Sequence, residues 1–306
     1  RRFIFCLERK FKIWLLNIEE LHNIMKKLFL IFLSLPIYLY SDCVESNDPK
    51  KIVIAGGSIT EIIYDLNEEE KILAVDITSN YPLKAKKLPS VGYVRALSTE
   101  GLLSLNPSLV LGEEDMGPPL VLSQLEIVGV DVRIIEDDFS SSGIIAKVSC
   151  ISKIINAKKK NTDALIQRLI TNKKFLDQNS KKNRRKKSIL LILSFQGTSP
   201  IVAGHSTSGH GFINLLGAKN TMQSVEGWKP ISTESILKED PDYIIITSRG
   251  MTSFKSMDSL SNHPALKYTS AALNKNIFSL DGMSMLGFGP RTLETAIKVS
   301  KKIYGE

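Results

Sequence analysis

The residues best suited to chemistry lie in a glycine-led segment, VGYVR, in which Tyr93 is followed two residues later by Arg95. A phenolate oxygen suits a hard ferric ion, and haem iron can take a tyrosinate as its axial ligand. A nearby guanidinium would stabilise the charged phenolate. A single tyrosine is also compatible with a half-buried structural role. Tyr93 is therefore a candidate iron ligand, with Arg95 as its cation.

The helix and strand after this segment occur twice in the chain. STEGLLSLNPSLVLG (98–112) returns 134 residues later as STESILKEDPDYIIIT (232–247). Each copy reads Ser-Thr-Glu, apolar helical positions, a proline and an apolar strand, and such a duplication predicts two similar lobes. Glu100 and Glu234 occupy the same position in the two copies. Each lobe would therefore present one acid, which also favours the N-terminus of its own helix.

Alternating strands and helices predict a βα architecture with a mostly parallel sheet in each lobe. The predicted strands are 52–55, 72–75, 109–111 and 131–135 in the first lobe, and 189–193, 243–246 and 277–280 in the second. Ligands of such sheets bind at the carboxyl ends of strands. The loops that carry Asp76, Tyr93 and Glu113 follow or flank such ends. Ser58 is predicted to cap the first helix, with Glu61 completing a capping box.

Between the two βα segments, apolar residues recur at helical spacing without a strand signal. We therefore predict an N-terminal lobe at 51–139, a connecting helix at 140–180 that breaks near Asn156, and a C-terminal lobe at 188–306. The fold class is α/β, with two Rossmann-like βα lobes joined by a long connecting helix and a ligand cleft between them. Because a helix is a stiff connector, opening would be limited to small rocking motions.

Composition sets broad limits on the chain. Its 306 residues are 43% hydrophobic and 24% charged, which is typical of a globular protein. The formal net charge of +8 suits an anionic ligand but is too diffuse to indicate nucleic acid. The three cysteines, at positions 6, 43 and 150, lack metal-ligand spacing, and their number excludes a framework of disulfides.

The segment that begins at Met25, MKKLFLIFLSLPIYLYSDC, has the layout of a secretory signal peptide. Its apolar run is shorter than the roughly 20 residues of a membrane-spanning helix. We predict that residues 25–42 are a signal peptide, that residues 1–24 are a non-native upstream extension, and that the mature protein is periplasmic. Cys43 is an alternative site for a lipid anchor, but Asp42 does not match the small residue that precedes a lipidated cysteine.

Five motifs in a consistent order resemble one family. VGYVRALSTEGLLSLNPSLVL, the opening AGGSITE, VAGHSTSG, GWKPIST and GFGPRT are similar to segments of the haemin-binding periplasmic proteins of bacterial haem ABC importers. More broadly, the chain resembles the two-lobed binding proteins with a rigid helical connector that also serve cobalamin and siderophore uptake. The resemblance covers residues 51 to 304. It implies a monomeric, non-enzymatic protein that captures ferric haem and delivers it to an inner-membrane permease dimer.

The resemblance also implies roles for individual residues. Tyr93 would be the axial iron ligand, with Arg249 of the facing lobe or Arg95 of the same loop as the cation beside it. Some haemin-binding proteins of this type also use a histidine of the second lobe. His205, on a loop rich in glycine and serine, is a better candidate for this second ligand than His210.

Glu100 and Glu234 would dock onto arginines of the permease. The apolar walls around the porphyrin would come from Trp228, Met251, Met283, Met285, Leu286 and Phe288. The candidate partners of the haem propionates are Lys84, Lys86, Arg95, Lys229 and Arg291, of which Arg95 is the preferred one.

The sequence leaves three alternatives to haem binding. A ferric siderophore or a corrinoid would be bound by the same fold. A two-lobed α/β enzyme, such as a glycosyltransferase or a nitrogenase-like cofactor protein, is disfavoured by the secretory leader and by the lack of cysteine ligands for a cluster. A zinc or manganese site would need three or four converging ligands, whereas only His205 and His210 lie near each other.

Overall fold

The computed structural model describes residues 43–182 and 185–305, so the predictions for residues 1–42 lie outside the described part of the chain. In the N-terminal lobe, four parallel strands form a sheet in the order β2-β1-β3-β4. They are β1 (Ile52–Ala55), β2 (Ile72–Val75), β3 (Leu109–Glu113) and β4 (Asp131–Ile135). Every residue of β1 is buried, as expected for a strand of a parallel sheet that is covered on both faces.

The helices of this lobe are α1 (Gly57–Asp65), α2 (Thr99–Ser104) and α3 (Pro119–Ile127). The predicted capping box at the start of α1 was wrong. The N-cap residue is Gly56, and it forms no side-chain cap bond. Ser58 donates instead to Glu113, and Glu61 accepts from Arg291. Both side chains therefore serve tertiary contacts and not the helix N-terminus.

The connecting helix predicted at 140–180, with a break near Asn156, forms two helices, α4 (Ser141–Ile154) and α5 (Lys159–Lys182). The break includes Asn156, whose φ of 49° is left-handed and ends α4. Asparagine tolerates this conformation better than most residues with a side chain.

Helix α5, which has 24 residues, contacts both lobes. Near its N-terminus, Asn161 Nδ2 donates to the carbonyl of Leu66 at 2.7 Å. Near its C-terminus, a Cβ added to Gly217 of the other lobe would lie 2.6 Å from Ser180 Oγ. Helix α5 is therefore the bridge between the lobes. No helix within residues 43–182 and 185–305 has the length and apolar character needed to cross a membrane.

The sheet of the C-terminal lobe has the order β10-β9-β5-β6-β8, with β7 beside β5. Its strands are β5 (Ser188–Gln196), β6 (Ser199–Ala203), β7 (Lys219–Asn220), β8 (Trp228–Pro230), β9 (Tyr243–Thr247) and β10 (Ile277–Leu280). Strands β5, β9 and β10 are parallel, whereas β6 is antiparallel to both β5 and β8. The β5–β6 hairpin turns at Gly197, which has φ 59°. Neither β6 nor β8 was predicted from the sequence.

Seven helices complete this lobe: α6 (Ser208–Leu215), α7 (Thr233–Glu239), α8 (Ser248–Met251), α9 (Met257–Ser261), α10 (Ser270–Leu273), α11 (Gly282–Leu286) and α12 (Pro290–Tyr304). The last helix, α12, packs against α5, α6 and α11 and also reaches α1 of the other lobe. The lobes are therefore joined by α12 as well as by α5.

One hydrophobic cluster runs through both lobes. It includes Ile54 and Ile62 of the first lobe, Ile151 of α4, and Leu191 and Phe212 of the second lobe, all fully buried. Two smaller clusters lie in the individual lobes. The predicted α/β fold with two Rossmann-like lobes is confirmed. Because the lobes share a core, a wide hinge opening would expose much apolar surface to water.

Cys43 and Cys150 form a disulfide bond. The number of cysteines excludes a framework of several bonds, but it does not exclude this single bond, which the sequence analysis failed to predict.

Candidate functional site

Asp76, which follows β2, holds together the loops at the carboxyl ends of β1 and β2. Its Oδ1 accepts from the N–H of Gly56 at 3.2 Å and from Ser79 Oγ at 2.9 Å, and its Oδ2 accepts from the N–H of Thr78 at 3.1 Å. Asp76 is buried. A carboxylate with three donors fixes the loop that follows it. Asp76 therefore has a structural role at this edge of the sheet.

Tyr93 lies on a segment that is held on both sides. The carbonyl of Gly92 accepts from the N–H of Ile77 at 2.9 Å, and the carbonyl of Val94 accepts from the N–H of Gly117 at 3.0 Å. Gly92 has φ 86°, a conformation that residues with a Cβ rarely adopt. Tyr93 itself is 40% exposed. The phenol is thus carried by a fixed backbone and is accessible to a ligand.

Arg95 lies two residues after Tyr93 in the same segment. Its Nε and Nη2 atoms each lie 2.8 Å from Asp115 Oδ2. The hydrogen bond to Asp115 raises the pKa of Arg95, and the Tyr93 phenolate acts in the same direction. The Arg95 side chain is 62% exposed. A charged and accessible guanidinium of this kind can pair with a second carboxylate, such as one on a ligand.

Three large side chains on the loop after β2 are unusually exposed, and the first of them, Ile77, donates its backbone N–H to Gly92, the neighbour of Tyr93. Ile77 is 63% exposed, Tyr81 43% and Leu83 73%. We call these three residues together with Tyr93 the apolar rim. Ile77, Tyr81 and Leu83 were not predicted as site residues from the sequence. Two features of the sequence could have indicated this surface. Ile77 comes directly after Asp76, which follows β2, and Leu83 is a leucine in an otherwise polar loop. Apolar side chains left exposed in this way often mark a ligand surface.

In the second lobe, His205 and Trp228 lie on neighbouring backbone segments. The N–H of His205 donates to the carbonyl of Val225 at 2.7 Å, and Trp228 in β8 pairs with Ala203 in β6. The indole covers the first turn of α6, where a Cβ on Gly209 would lie 2.8 Å from Trp228 Cη2. Glycine at this position therefore allows the ring to pack directly on the helix.

The first turn of α6 also contacts the N-terminal lobe. A Cβ on Gly211 would lie 2.5 Å from the carbonyl oxygen of Phe139. The loop with His205 precedes this turn, so His205 is close to the junction of the lobes. His205 Nδ1 lies 3.0 Å from Ser206 Oγ. Its Nε2 has no hydrogen-bond partner among residues 43–182 and 185–305 and is free to bind a metal.

His210 is a poorer ligand because Asn220 occupies one of its nitrogens. Asn220 Oδ1 accepts from the N–H of Met222 at 2.9 Å, which turns Nδ2 towards His210 Nδ1 at 3.1 Å. His210 Nδ1 is therefore an acceptor, and the proton of the neutral ring lies on Nε2. Burial and, to a lesser extent, His205 lower the pKa of His210. In the described part of the chain, no three His, Cys, Asp or Glu residues are grouped as a metal site.

Arg249 is exposed on α8 and forms no ion pair with any described residue. No hydrogen bond or ion pair joins it to Tyr93 or His205 within the described residues, so its predicted role beside the iron ligand stays a prediction. The prediction that Met285 and Phe288 form part of the porphyrin walls was wrong. Met285 and Phe288 are fully buried, because α11 and the turn after it direct them into the shared core.

Four charged or aromatic side chains connect the lobes, and we call them the interlobe clamp. Arg291 of α12 donates to Glu61 of α1 and lies 3.6 Å from Asp281. Its guanidinium carbon is 3.7 Å from the centre of the Tyr81 ring. The Glu61 side chain is 4% exposed and that of Arg291 21%. Arg291, a candidate propionate partner, is thus already engaged by the protein.

Glu61 leads to a prediction for the pH dependence of stability. Burial raises its pKa from 4.5 to about 7, although Arg291 acts in the opposite direction. Between these values the folded protein holds a proton that the unfolded chain has released, so the free energy of unfolding falls as the pH rises. The expected fall is up to about 3 kcal/mol. Urea unfolding between about pH 5 and about pH 8 should show a fall that is larger in the wild type than in Glu61→Gln by up to about 3 kcal/mol. A difference between the two proteins that does not vary with pH would contradict the prediction.

A second charged group is buried within the N-terminal lobe. Lys147 Nζ lies 3.1 Å from Asp137 Oδ1 and 3.4 Å from Glu113 Oε1. Burial alone would lower the pKa of Lys147, but the two carboxylates raise it, so the ammonium stays charged. Burial raises the pKa of Glu113, and Lys147 opposes this shift. Glu113, the last residue of β3, is therefore a partner of Lys147.

Glu100 and Glu234 occupy equivalent exposed positions in the first turns of α2 and α7. Ser98 caps α2 and Ser232 caps α7, each accepting from a backbone N–H at 3.3 Å. The Glu234 backbone N–H and the Ser232 hydroxyl lower the pKa of Glu234. Each lobe thus presents an exposed acid on a capped helix, and neither acid forms an ion pair within the described part of the chain.

Two α/β lobes, one with a parallel and one with a mixed sheet, a helical bridge and accessible side chains on their loops are the features of a binding protein. Residues 52–283 match the periplasmic binding protein family, and the chain belongs to this family. The resemblance found in the sequence motifs is therefore confirmed.

One solved structure and two proteins of known sequence are similar to this chain. A solved structure called "Periplasmic heme-binding protein BhuT in complex with two hemes" has a TM-score of 0.79 and 30% identity, covering 84% of this chain and 98% of that one. An uncharacterized ABC transporter substrate-binding lipoprotein of Bacillus subtilis, YvrC, is 27% identical, covering 86% of this chain and 82% of that protein. A vitamin B12-binding protein of Pectobacterium atrosepticum is 26% identical, covering 78% and 85%.

Proposed function

We propose that this protein captures ferric haem between its lobes and delivers it, without chemical change, to an inner-membrane ABC permease. The observation that carries the proposal is the position of Tyr93. Its phenol is accessible, its backbone is held on both sides, and Arg95 lies beside it. The similarity to BhuT, which is named as heme-binding, supports the same ligand.

The chemistry of haem fits the surroundings of Tyr93. A porphyrin is a flat apolar disc with two carboxylates, so it requires apolar walls and a few cations. The apolar rim and Trp228 supply apolar surface, and Arg95 supplies an accessible guanidinium. In this proposal His205 is the second iron ligand and Arg249 is the cation contributed by the other lobe.

A corrinoid or a ferric siderophore is the alternative ligand, because one relative is named as a vitamin B12-binding protein. A siderophore surrounds its iron with its own oxygen donors, and a corrinoid presents cobalt. Neither ligand requires a protein phenolate. The accessible Tyr93 beside a guanidinium therefore favours haem.

The test is an absorbance titration of the purified protein with haemin, with cyanocobalamin and with a ferric siderophore. We expect haemin to produce a saturable Soret band and the charge-transfer band of a phenolate–iron bond. If haemin binds no better than it does to an unrelated protein, while cobalamin or the siderophore saturates, the alternative is correct.

We further propose that the protein is an exported periplasmic monomer and that Glu100 and Glu234 dock onto arginines of the permease dimer. Both carboxylates are exposed, both lie in the first turn of a short helix, and there is one in each lobe. A two-fold symmetric partner could therefore bind both lobes in the same way.

Glu100→Gln combined with Glu234→Gln should reduce haem uptake by cells at least about tenfold, because two charge pairs across the interface are lost. Haemin affinity of the purified variant should not change. The matched control is Glu126→Gln with Glu239→Gln, which also removes one exposed acid from each lobe. Weaker haemin binding by the first variant would place these acids in the ligand site, and equal uptake by both variants would exclude the docking role.

A further inference from the structure

The disulfide between Cys43 and Cys150 has no part in the proposed function. It joins Cys43 to Cys150 of helix α4. The two cysteines are 107 residues apart, so the loop that the bond closes contains all four strands of the N-terminal sheet. The bond therefore ties the segment before β1 to the helix that follows the N-terminal lobe.

A second contact holds the same segment in place. The backbone N–H of Ser46 donates to the carbonyl of Ile154 at 2.9 Å, and Ile154 is the last residue of α4. Ser46 is buried. The bond satisfies one of the carbonyl groups that a helix C-terminus leaves without an internal partner. Residues 43 to 46 thus run along the last turns of α4, fixed at both ends.

We infer that Cys43 is a structural disulfide partner in the exported protein and not a site of lipid attachment. A lipid anchor is a thioether on the cysteine sulfur, and a sulfur in a disulfide cannot form one. In addition, the segment after Cys43 packs against α4 and does not extend as a tether. Asp42, which precedes Cys43, agrees with this assignment.

The oxidation requires a disulfide-bonded oxidant, as found outside the cytoplasm. The Cys43 thiolate attacks that oxidant to give a mixed disulfide, and the Cys150 thiolate then displaces it. The S–S bond forms as the two thiols lose two electrons and two protons, and the oxidant leaves as a dithiol. Because the closed loop is long, the bond restricts the unfolded chain strongly.

Peptide mapping of the full chain after export tests the inference directly. The protein is alkylated without reduction and then digested with trypsin. We expect the peptide that ends at Lys50 to be linked to the peptide of residues 148–153, and to separate from it only after reduction. A diacylglycerol group on Cys43, or alkylation of both cysteines before reduction, would overturn the inference.

Thermal unfolding gives a second test. Reduction of the wild type should lower Tm by about 5–10 °C. Cys43→Ser and Cys150→Ser should each show the same lowered Tm, with no further effect of the reductant. A wild-type Tm that does not respond to reductant would overturn the inference. Haemin titration of the same variants keeps the two proposals separate, because loss of the disulfide leaves Tyr93 in place.

Discussion

Replacement of Tyr93 by alanine is expected to weaken haemin binding at least about 100-fold, since loss of a residue that only supports a metal ligand already costs up to that amount. The phenolate–iron charge-transfer band should disappear as well. Because Tyr93 is 40% exposed and its segment is held by backbone hydrogen bonds, the free energy of unfolding should hardly change. Absorbance titration and urea unfolding of the variant measure the two effects separately.

Tyr93→Phe provides the sharper comparison, because it keeps the ring in the apolar rim and removes only the oxygen. We expect it to lose the charge-transfer band and most of the affinity. Tyr268→Phe is the matched control, since Tyr268 is also exposed but lies in the other lobe, outside the candidate site. If Tyr93→Phe keeps the spectrum of the wild type, the iron ligand is another residue.

The strands that could be predicted from the sequence each have a parallel neighbour. The predicted bounds of β1, β2, β4 and β10 agree with the structure, because these strands are short, mostly apolar runs between turn residues. The antiparallel strands β6 and β8 were missed. Each contains a proline, Pro200 or Pro230, which weakens a strand pattern. Gly197, in a two-residue turn between two apolar runs, was the available hairpin signal.

The candidate site could be predicted only where its residues are neighbours in the sequence. Tyr93 and Arg95 are two residues apart, and the structure keeps them together. Glu61 and Arg291 are 230 residues apart, and no local pattern pairs them. The Ser-x-x-Glu signature of a capping box even misassigned Glu61. A local rule fails at such a position because it does not include a partner that is distant in the sequence, here Arg291, which takes the carboxylate away from the helix N-terminus.

The second large effect is expected from a change in the interlobe clamp, and it is an effect on the free energy of unfolding. Arg291→Ala is expected to lower the free energy of unfolding by about 3 kcal/mol near pH 8, because it leaves the Glu61 carboxylate buried without a cation. The cost should be smaller near pH 6. Without Arg291 the pKa of Glu61 would rise above its present value of about 7, and the carboxyl would then take up a proton. Haemin affinity should also fall, since Tyr81 of the apolar rim loses its stacking partner.

Arg168→Ala is the matched control for the clamp. Arg168 also joins two helices, by pairing with Asp65, but its side chain is 46% exposed. Its removal should cost less than about 1 kcal/mol at either pH. The double variant Glu61→Gln with Arg291→Ala should recover part of the stability lost in Arg291→Ala, because no buried charge is left unpaired. Equal losses for Arg291→Ala and Arg168→Ala, or a loss that does not change with pH, would show that Glu61 is not held by Arg291 across the lobes.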